Sequence, residues 1–241
     1  MQAAMLGVFS QITDLANDLI SVAITLMSRC IVLPKTKNLT YLFSRIRDEK
    51  TGRTDFVHFS NRILSMLVEE AINYVPYTEE TVRTPTNADY TGYNIDLDHI
   101  CAVSIVRAGE SMEEVCRKLM PGMRIGKILI QRDEETALPT LFYSKLPDNM
   151  ALQTVLLLDP MLATGGSAIC AVNVLKSAGV KEENIIFVNL VSCTDGIAAV
   201  QKACPKMMIV TGEIDPILNE KKYIVPGLGD MGDRYFGTAG N

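Results

Sequence analysis

Largely apolar runs alternate along this chain with segments of helical periodicity. Largely apolar runs are typical of strands buried on both faces of a parallel sheet, and four are residues 100–106, 155–158, 185–191 and 207–210. Residues 125–132, which are alternating and apolar, are predicted as a further strand. Three segments are predicted as helices: residues 56–74, 168–178 and 197–203. Two further segments are predicted as a polar, turn-rich connection and as an extended arm or hairpin: residues 84–93 and 136–146. This order predicts a single α/β domain over residues 1–241, with a mostly parallel central sheet flanked by helices.

The run at residues 155–158 leads into the most informative stretch of the chain. Asp159 stands at the carboxyl end of the predicted strand, the edge at which open α/β sheets bind ligands. The sequence Thr-Gly-Gly-Ser at residues 164–167 follows and precedes a predicted helix. Glycines allow close approach of the backbone, and hydroxyl and N–H groups at a helix start can bind a phosphate dianion. We predict a phosphate-binding loop, and an ordinary strand-to-helix turn is the alternative.

Two arginines end two other predicted strands. Arg107 follows residues 100–106 and precedes the small residues Ala108 and Gly109, whose N–H groups can face an anion. Arg132 ends the next strand, and two such arginines can clamp a polyphosphate with paired hydrogen bonds. The alternatives are a solvated surface residue for Arg107 and pairing with the acids at 133–135 for Arg132. After Arg107, the capping-box spacing of residues 111 and 114 predicts a helix over residues 111–120.

Near the C-terminus, residues 223–237 read YIVPGLGDMGDRYFG, with five Gly or Pro in fifteen residues. This composition predicts an irregular loop and excludes a regular helix. An irregular surface turn is the plain interpretation. A glycine-rich backbone can also present alternating N–H and C=O groups to a planar heterocycle. An unpaired polar group in a desolvated pocket costs about 1–3 kcal/mol, so such a loop can discriminate between bases.

These four segments, in this order, resemble the uracil phosphoribosyltransferases of the type I phosphoribosyltransferase superfamily, over roughly residues 100–238. Most of that superfamily carries two adjacent acids after the phosphate strand. Here Pro160 replaces the second acid, a departure that the uracil enzymes share. The resemblance implies the type I phosphoribosyltransferase fold, with a C-terminal base-recognition loop and an extended β-arm.

The resemblance also implies a set of site residues. Those expected to bind 5-phosphoribosyl 1-diphosphate (PRPP) are Arg107, Ala108, Gly109, Arg132, Asp159, Pro160, Met161, Leu162, Ala163, Thr164, Gly165, Gly166, Ser167 and Asp230. Those expected to bind uracil are Ile224, Gly229, Asp230 and Met231. The residues expected to act in catalysis are Asp230, Arg132, Arg107 and Asp159. No set of metal-ligating side chains is assigned.

The implied reaction is transfer of the 5-phosphoribosyl group from PRPP to N1 of uracil, giving UMP and pyrophosphate in pyrimidine salvage. Mg²⁺ is the expected cofactor. Either Asp230 or pyrophosphate takes the N1 proton. Two alternatives remain: a transferase for another base, and a regulator that binds nucleotides on this fold without turnover. The resemblance further implies a homodimer or homotetramer and a GTP effector, for which Arg53, Arg62 and Arg124 are anion contacts or else ordinary solvated arginines.

The composition, net charge and cysteine pattern of the chain indicate its compartment and exclude some classes of partner. A chain of 241 residues with 48% hydrophobic residues can bury a sizeable core. The net charge is -5, and Lys and Arg are dispersed along the chain. Because there is no basic stripe, nucleic acid is not an expected partner. Six scattered cysteines indicate free thiols in a reducing compartment. Residues 1–33 are apolar but interrupted by Asp14, Asp18 and Arg29, which predicts an amphipathic helix and an early strand, no membrane span and a cytoplasmic location.

Overall fold

The computed structural model describes residues 29–132 and 139–238. The helices in these ranges are α1 (Lys37–Arg47), α2 (Arg53–Ile72), α3 (Glu113–Leu119), α4 (Gly166–Ser177), α5 (Thr194–Ala203) and α6 (Met231–Phe236). The strands are β1 (Cys30–Val32), β2 (Thr78–Arg83), β3 (Asp89–Asn94), β4 (Ile100–Val106), β5 (Arg124–Arg132), β6 (Pro139–Lys145), β7 (Thr154–Leu158), β8 (Met161–Leu162), β9 (Ile185–Cys193), β10 (Met208–Asp215), β11 (Ile217–Leu218) and β12 (Ile224–Val225).

The central sheet has the strand order β1-β10-β9-β7-β4-β5-β6, with the short β8 beside β9. All of its described pairs are parallel except β5 with β6. The chain runs outward from β4 to β5 and β6 and then returns to β7 on the other side of β4. The order therefore reverses between β4 and β7, and the crevice at such a reversal is where open α/β sheets bind ligands.

Side chains alternate between the two faces of the sheet, as the period of two along a strand requires. Leu156 and Leu158 of β7 join a core cluster that includes α1, α2 and α3. Val155 and Leu157 join a second cluster that includes α4 and α5. Both clusters are buried, which explains why the strands read as continuous apolar runs. The predicted mostly parallel sheet flanked by helices is confirmed.

Three local predictions were wrong. Residues 84–93 are not only a turn: they include most of β3, which pairs with β2 in an exposed hairpin. The Ser111 hydroxyl donates to the carbonyl of Ala108, so it does not cap α3, which begins at Glu113. Residues 223–237 contain a short helix, α6, which begins after Asp230 because that carboxylate accepts the N–H of Asp233.

The prediction for residues 1–33 falls mostly outside the described residues, where only the early strand, β1, is seen. None of the helices over residues 29–132 and 139–238 combines the length and the apolar character that crossing a membrane needs. The predicted arm at residues 136–146 includes β6, which extends the sheet as an antiparallel edge strand. Leu141, Phe142 and Tyr143 on this strand are exposed.

Candidate active site

The loops after β4 and β7 meet at the reversal of strand order. Arg107 follows β4 directly and Asp159 follows β7, its parallel neighbour. Gly109 packs so closely on the end of β7 that a Cβ there would lie 2.3 Å from the carbonyl oxygen of Leu158. A side chain at position 109 would therefore push the two loops apart. The sequence-predicted anion turn and the acidic turn are in contact because residue 109 is glycine.

A partly exposed lysine pairs with two glutamates next to the Arg107 loop. Glu113 is 5% exposed and accepts the hydroxyl of Ser104 at 2.7 Å. Lys127 of β5 lies 3.3 Å from Glu113 and donates to Glu110 at 2.5 Å. The hydrogen bond to Glu110 is the main reason that the pKa of Lys127 is raised, so this lysine stays charged. The loop after β4 is thereby tied to the neighbouring strand β5.

The acidic turn is fixed by β9. The N–H of Asp159 donates to Val188, and the carbonyl of Pro160 accepts N–H groups of Leu190 and Val191 at 3.0 Å. The Asp159 carboxylate accepts the N–H of Met161 at 3.3 Å. The next residues form β8 beside β9. Residues 159–163 therefore have a defined backbone course between β7 and the glycine loop.

The glycine loop at residues 164–167 passes directly into α4, whose first residue is Gly166. Gly165 precedes the helix and has φ of 83°. The first N–H groups of a helix have no intrahelical acceptor and carry the positive end of the helix dipole. This arrangement suits an anion such as the 5-phosphate of PRPP.

The C-terminal loop is held on a small hairpin. The strands β11 and β12 pair through Leu218 and Ile224, and the chain then turns at Gly227, whose φ is 61°. A Cβ on Gly227 would lie 2.1 Å from the carbonyl oxygen of Ile224, so only glycine fits this turn. The turn that brings the loop towards the crevice therefore depends on glycine at position 227.

A cavity of about 320 Å³ lies between the loops. Seven of the residues predicted to bind PRPP or uracil line it: Ala108, Met161, Ala163, Ile224, Gly229, Asp230 and Met231. All four residues predicted to contact uracil are in this set. The remaining lining residues, Lys221, Lys222, Tyr223 and Gly232, were not predicted.

The Arg107 side chain lies beside this cavity and contacts the C-terminal segment. It donates to the Asp233 carboxylate at 2.8 Å and to the Thr238 hydroxyl at 2.5 Å, and lies 3.7 Å from Asp230. The hydrogen bond from Arg107, followed by that from Thr238, lowers the pKa of Asp233. Arg107 is therefore held by the C-terminal segment in this structure.

Sequence reasoning missed two kinds of residue at this site. Lys221 and Lys222 precede the predicted base loop, and adjacent cations before such a loop were the signal for an anionic ligand. Asp233 and Thr238 gave no comparable signal, because their contact with Arg107 joins residues 126 and 131 positions apart.

Four other arginines were predicted from the sequence as anion contacts. Arg132 ends β5, the strand beside β4, and its side chain lies outside the described residues. Arg53 donates to the carbonyl of Tyr235 and Arg62 to Asn38. Arg124 donates to Gln153 at the amino end of β5. Each of these last three arginines thus has a protein partner here.

Taken with the fold, an acidic turn and a glycine loop at the reversal of strand order define a type I phosphoribosyltransferase. The family model for uracil phosphoribosyltransferase matches residues 32–238. The chain belongs to the uracil phosphoribosyltransferase family.

Individual relatives agree with this assignment. The chain is 54% identical over 208 residues to the uracil phosphoribosyltransferase of Dictyostelium discoideum, a match that covers 86% of this chain and 96% of the relative. It is 53% identical to that of Saccharomyces cerevisiae, with 85% and 94% covered. Among solved structures, a protein from Aquifex aeolicus is similar with a TM-score of 0.77 and 30% identity, covering 88% of this chain and all of that one.

Proposed function

We propose that this chain transfers the 5-phosphoribosyl group of PRPP to N1 of uracil, forming UMP and pyrophosphate. The observation that carries the proposal is that the loop after β7 and the C-terminal loop both line the same cavity. A transferase needs its two substrates side by side. The cavity is lined by Ala163, the residue before the predicted phosphate loop at 164–167, and by Gly229 of the base loop. The reaction is the one for which the family is named.

The chain contributes positioning and electrostatics to this reaction. PRPP already carries a good leaving group, so the barrier lies in breaking the anomeric C–O bond to reach an oxocarbenium-like centre. Residues 164–167 bind the 5-phosphate, while Arg107 and Arg132 neutralise the departing pyrophosphate. Asp159 and Asp230 act on the ribose hydroxyls, the metal ion or the developing positive charge. Either Asp230 or pyrophosphate accepts the N1 proton of uracil.

The base is selected by backbone groups. Uracil presents two carbonyl oxygens that flank N3–H, and the residues that would meet this edge are Ile224, Gly229 and Met231. Cytosine presents a different order of donors and acceptors, which would leave a polar group unpaired in the pocket. One such mismatch lowers binding by about tenfold to a hundredfold.

We also propose Mg²⁺ as the cofactor. Across the described ranges, no three or more His, Cys, Asp or Glu side chains gather as a metal site. Mg²⁺ does not need such a cluster, because it is usually bound by one or two carboxylates together with substrate phosphates. Asp159 and Asp230 are the carboxylates that would hold it. When bound, the ion neutralises pyrophosphate charge.

The proposal is tested by incubating the purified chain with Mg²⁺, PRPP and labelled uracil, with cytosine and hypoxanthine in parallel. UMP formed from uracil alone is the expected result. Binding of uracil without turnover would instead favour a regulator on this fold, and turnover of another base would overturn the assignment of the C-terminal loop. Neither alternative is favoured by the family match.

For the assembly and its control, we propose a homodimer or homotetramer that responds to GTP. Exposed apolar side chains support an assembly: Tyr90 and Tyr93 on the β2–β3 hairpin, and Phe142 and Tyr143 on β6. Arg53, Arg62 and Arg124 are the proposed anion contacts. Sedimentation and initial rates with and without GTP provide the test, and an effect on neither would remove GTP from the proposal.

We propose a cytoplasmic location. All six cysteines are free in the structure, as expected of a reducing compartment. The substrate PRPP carries a phosphate and a diphosphate and so does not cross membranes unaided. Fractionation of cells that express the tagged chain would test this, and recovery in a membrane fraction would contradict it.

A further inference from the structure

Arg47, the last residue of α1, makes an unusually complete set of hydrogen bonds far from the sequence motifs. Its guanidinium donates to both carboxylate oxygens of Asp215 at 2.8 Å and to Glu213 at 2.8 Å. Its side chain is 17% exposed, and that of Asp215 is 5% exposed. Paired Arg–carboxylate hydrogen bonds of this kind fix geometry as well as charge.

The same pair binds Gly227 of the C-terminal loop from both sides. Arg47 Nη1 donates to the carbonyl oxygen of Gly227 at 2.6 Å, and the Gly227 N–H donates to Asp215 Oδ2 at 2.9 Å. Arg47, Asp215 and Gly227 therefore form a closed ring of hydrogen bonds. Gly227 is the residue with φ of 61° at which the loop turns.

A second arginine fixes the next residue to the same helix end. Arg234 of α6 donates to the carbonyl of Leu228 at 2.6 Å and to those of Ile46 and Asp48 at 2.5 and 2.8 Å. Positions 227 and 228 are thus both tied to the end of α1. The course of the chain into Gly229, Asp230 and Met231, which line the cavity, starts from these two fixed points.

The groups that would read the base belong to the backbone, so exchanging the side chains of Ile224 or Met231 does not remove them. Side chains can alter base binding by moving that backbone. We propose that Arg47 and Asp215 are positioning residues that set the affinity for the base by holding Gly227. Neither residue lines the cavity. This inference rests on the proposed role of residues 224–231 in binding uracil.

The experiment compares matched variants in steady-state kinetics with uracil and PRPP varied separately. Asp215→Asn removes the charge and the paired hydrogen bonds with Arg47 that support Gly227, and we expect it to raise KM for uracil about tenfold or more. The KM for PRPP should stay within about twofold of wild type. Glu213→Gln is the matched control within the network, because Glu213 contacts Arg47 but not Gly227, and we expect a change of about twofold or less.

Two further variants test whether the change in KM is specific to the hydrogen bonds at Gly227. Arg47→Lys keeps one charge but cannot bind a carboxylate with paired donors, so we expect an intermediate rise in KM for uracil. Arg83→Gln breaks an exposed Arg–Asp pair of the same 2.8 Å length on the β2–β3 hairpin, and it should leave both KM values unchanged. If Asp215→Asn fails to fold, Arg47→Lys decides.

Three results would overturn the inference: unchanged KM values in Asp215→Asn and Arg47→Lys, equal rises for both substrates, or an effect of Glu213→Gln as large as that of Asp215→Asn. A wild-type chain that does not convert uracil would overturn the proposed function itself, and the inference with it. The wild-type rate therefore distinguishes the two failures.

Discussion

Asp230 has two tasks that an alanine substitution would remove together. Its carboxylate caps α6 by accepting the N–H of Asp233 at 2.8 Å, and it also lines the cavity, 3.7 Å from Arg107. A helix cap contributes about 0.5–2 kcal/mol to stability. Loss of activity in an alanine variant would therefore mix a structural effect with a chemical one.

Asparagine separates the two tasks, because it caps helices as well as aspartate but carries no charge. We expect Asp230→Asn and Asp230→Ala both to lower kcat about a hundredfold or more. Only Asp230→Ala should lower Tm. Single-turnover rates and thermal unfolding of both variants provide the measurement, and a near-wild-type kcat in Asp230→Asn would remove Asp230 from the catalytic residues.

Lys221 is an exposed cation at the cavity wall. Because it lines the cavity proposed to hold PRPP, Lys221→Gln should raise KM for PRPP about twofold to fivefold at low salt, and less at high salt. KM for uracil should not change. Lys145→Gln, on β6 and outside the cavity lining, is the control, and an equal effect there would point to general charge rather than to the site.

The sequence predicts most clearly the strands that are buried on both faces. β4 and β7 are almost wholly buried, so their apolar runs stand out. The β2–β3 hairpin is exposed on nearly every residue, and its polar sequence reads as a turn. α6 contradicts its glycine-rich composition because the Asp230 cap and contacts made by Arg234 stabilise it. Those contacts lie more than 180 residues away along the chain, beyond any local pattern.

The contact between the loops after β4 and β7 can be tested with a matched pair of glycine variants. Gly109→Ala would place a Cβ 2.3 Å from the Leu158 carbonyl, next to Asp159. We expect KM for PRPP to rise about tenfold and the protein to lose about 1–3 kcal/mol of stability. Gly52→Ala, which has open space around it and φ of -64°, should leave KM for PRPP unchanged. This control is compared in the kinetics alone, because residue 52 is the N-cap of α2, where alanine is disfavoured. Equal kinetics for the two variants would contradict the close approach.

At the scale of the whole molecule, buried thiols make the free energy of unfolding depend on pH. Burial raises the pKa of Cys101 and of Cys116 to about 12, from 9.0. Their stabilising contribution is complete below pH 9, where both states are protonated. It is lost as pH rises towards 12, because the unfolded chain then releases protons that the folded chain retains.

Denaturant unfolding between pH 8 and 10.5 measures this effect. We expect the free energy of unfolding to fall above pH 9, by about 1 kcal/mol per pH unit for each thiol. A Cys101→Ala variant is less stable at pH 8 but should show a shallower decline. A parallel decline in variant and wild type would assign the alkaline loss to other groups.

The sheet edge at β1 has a consequence for motion near the site. β1 is three residues long. It pairs with β10, which lies near the other end of the described chain, and Cys30 is the partner of Ile209. Short edge pairings that close long loops open at small free-energy cost. The amide of Ile209, which donates to Arg29 on this edge, should then exchange with solvent sooner than amides between β10 and β9. Because β10 continues to Asp215, an opening that extended along β10 would also loosen the ring of hydrogen bonds that holds Gly227, and with it the approach of the base to its pocket.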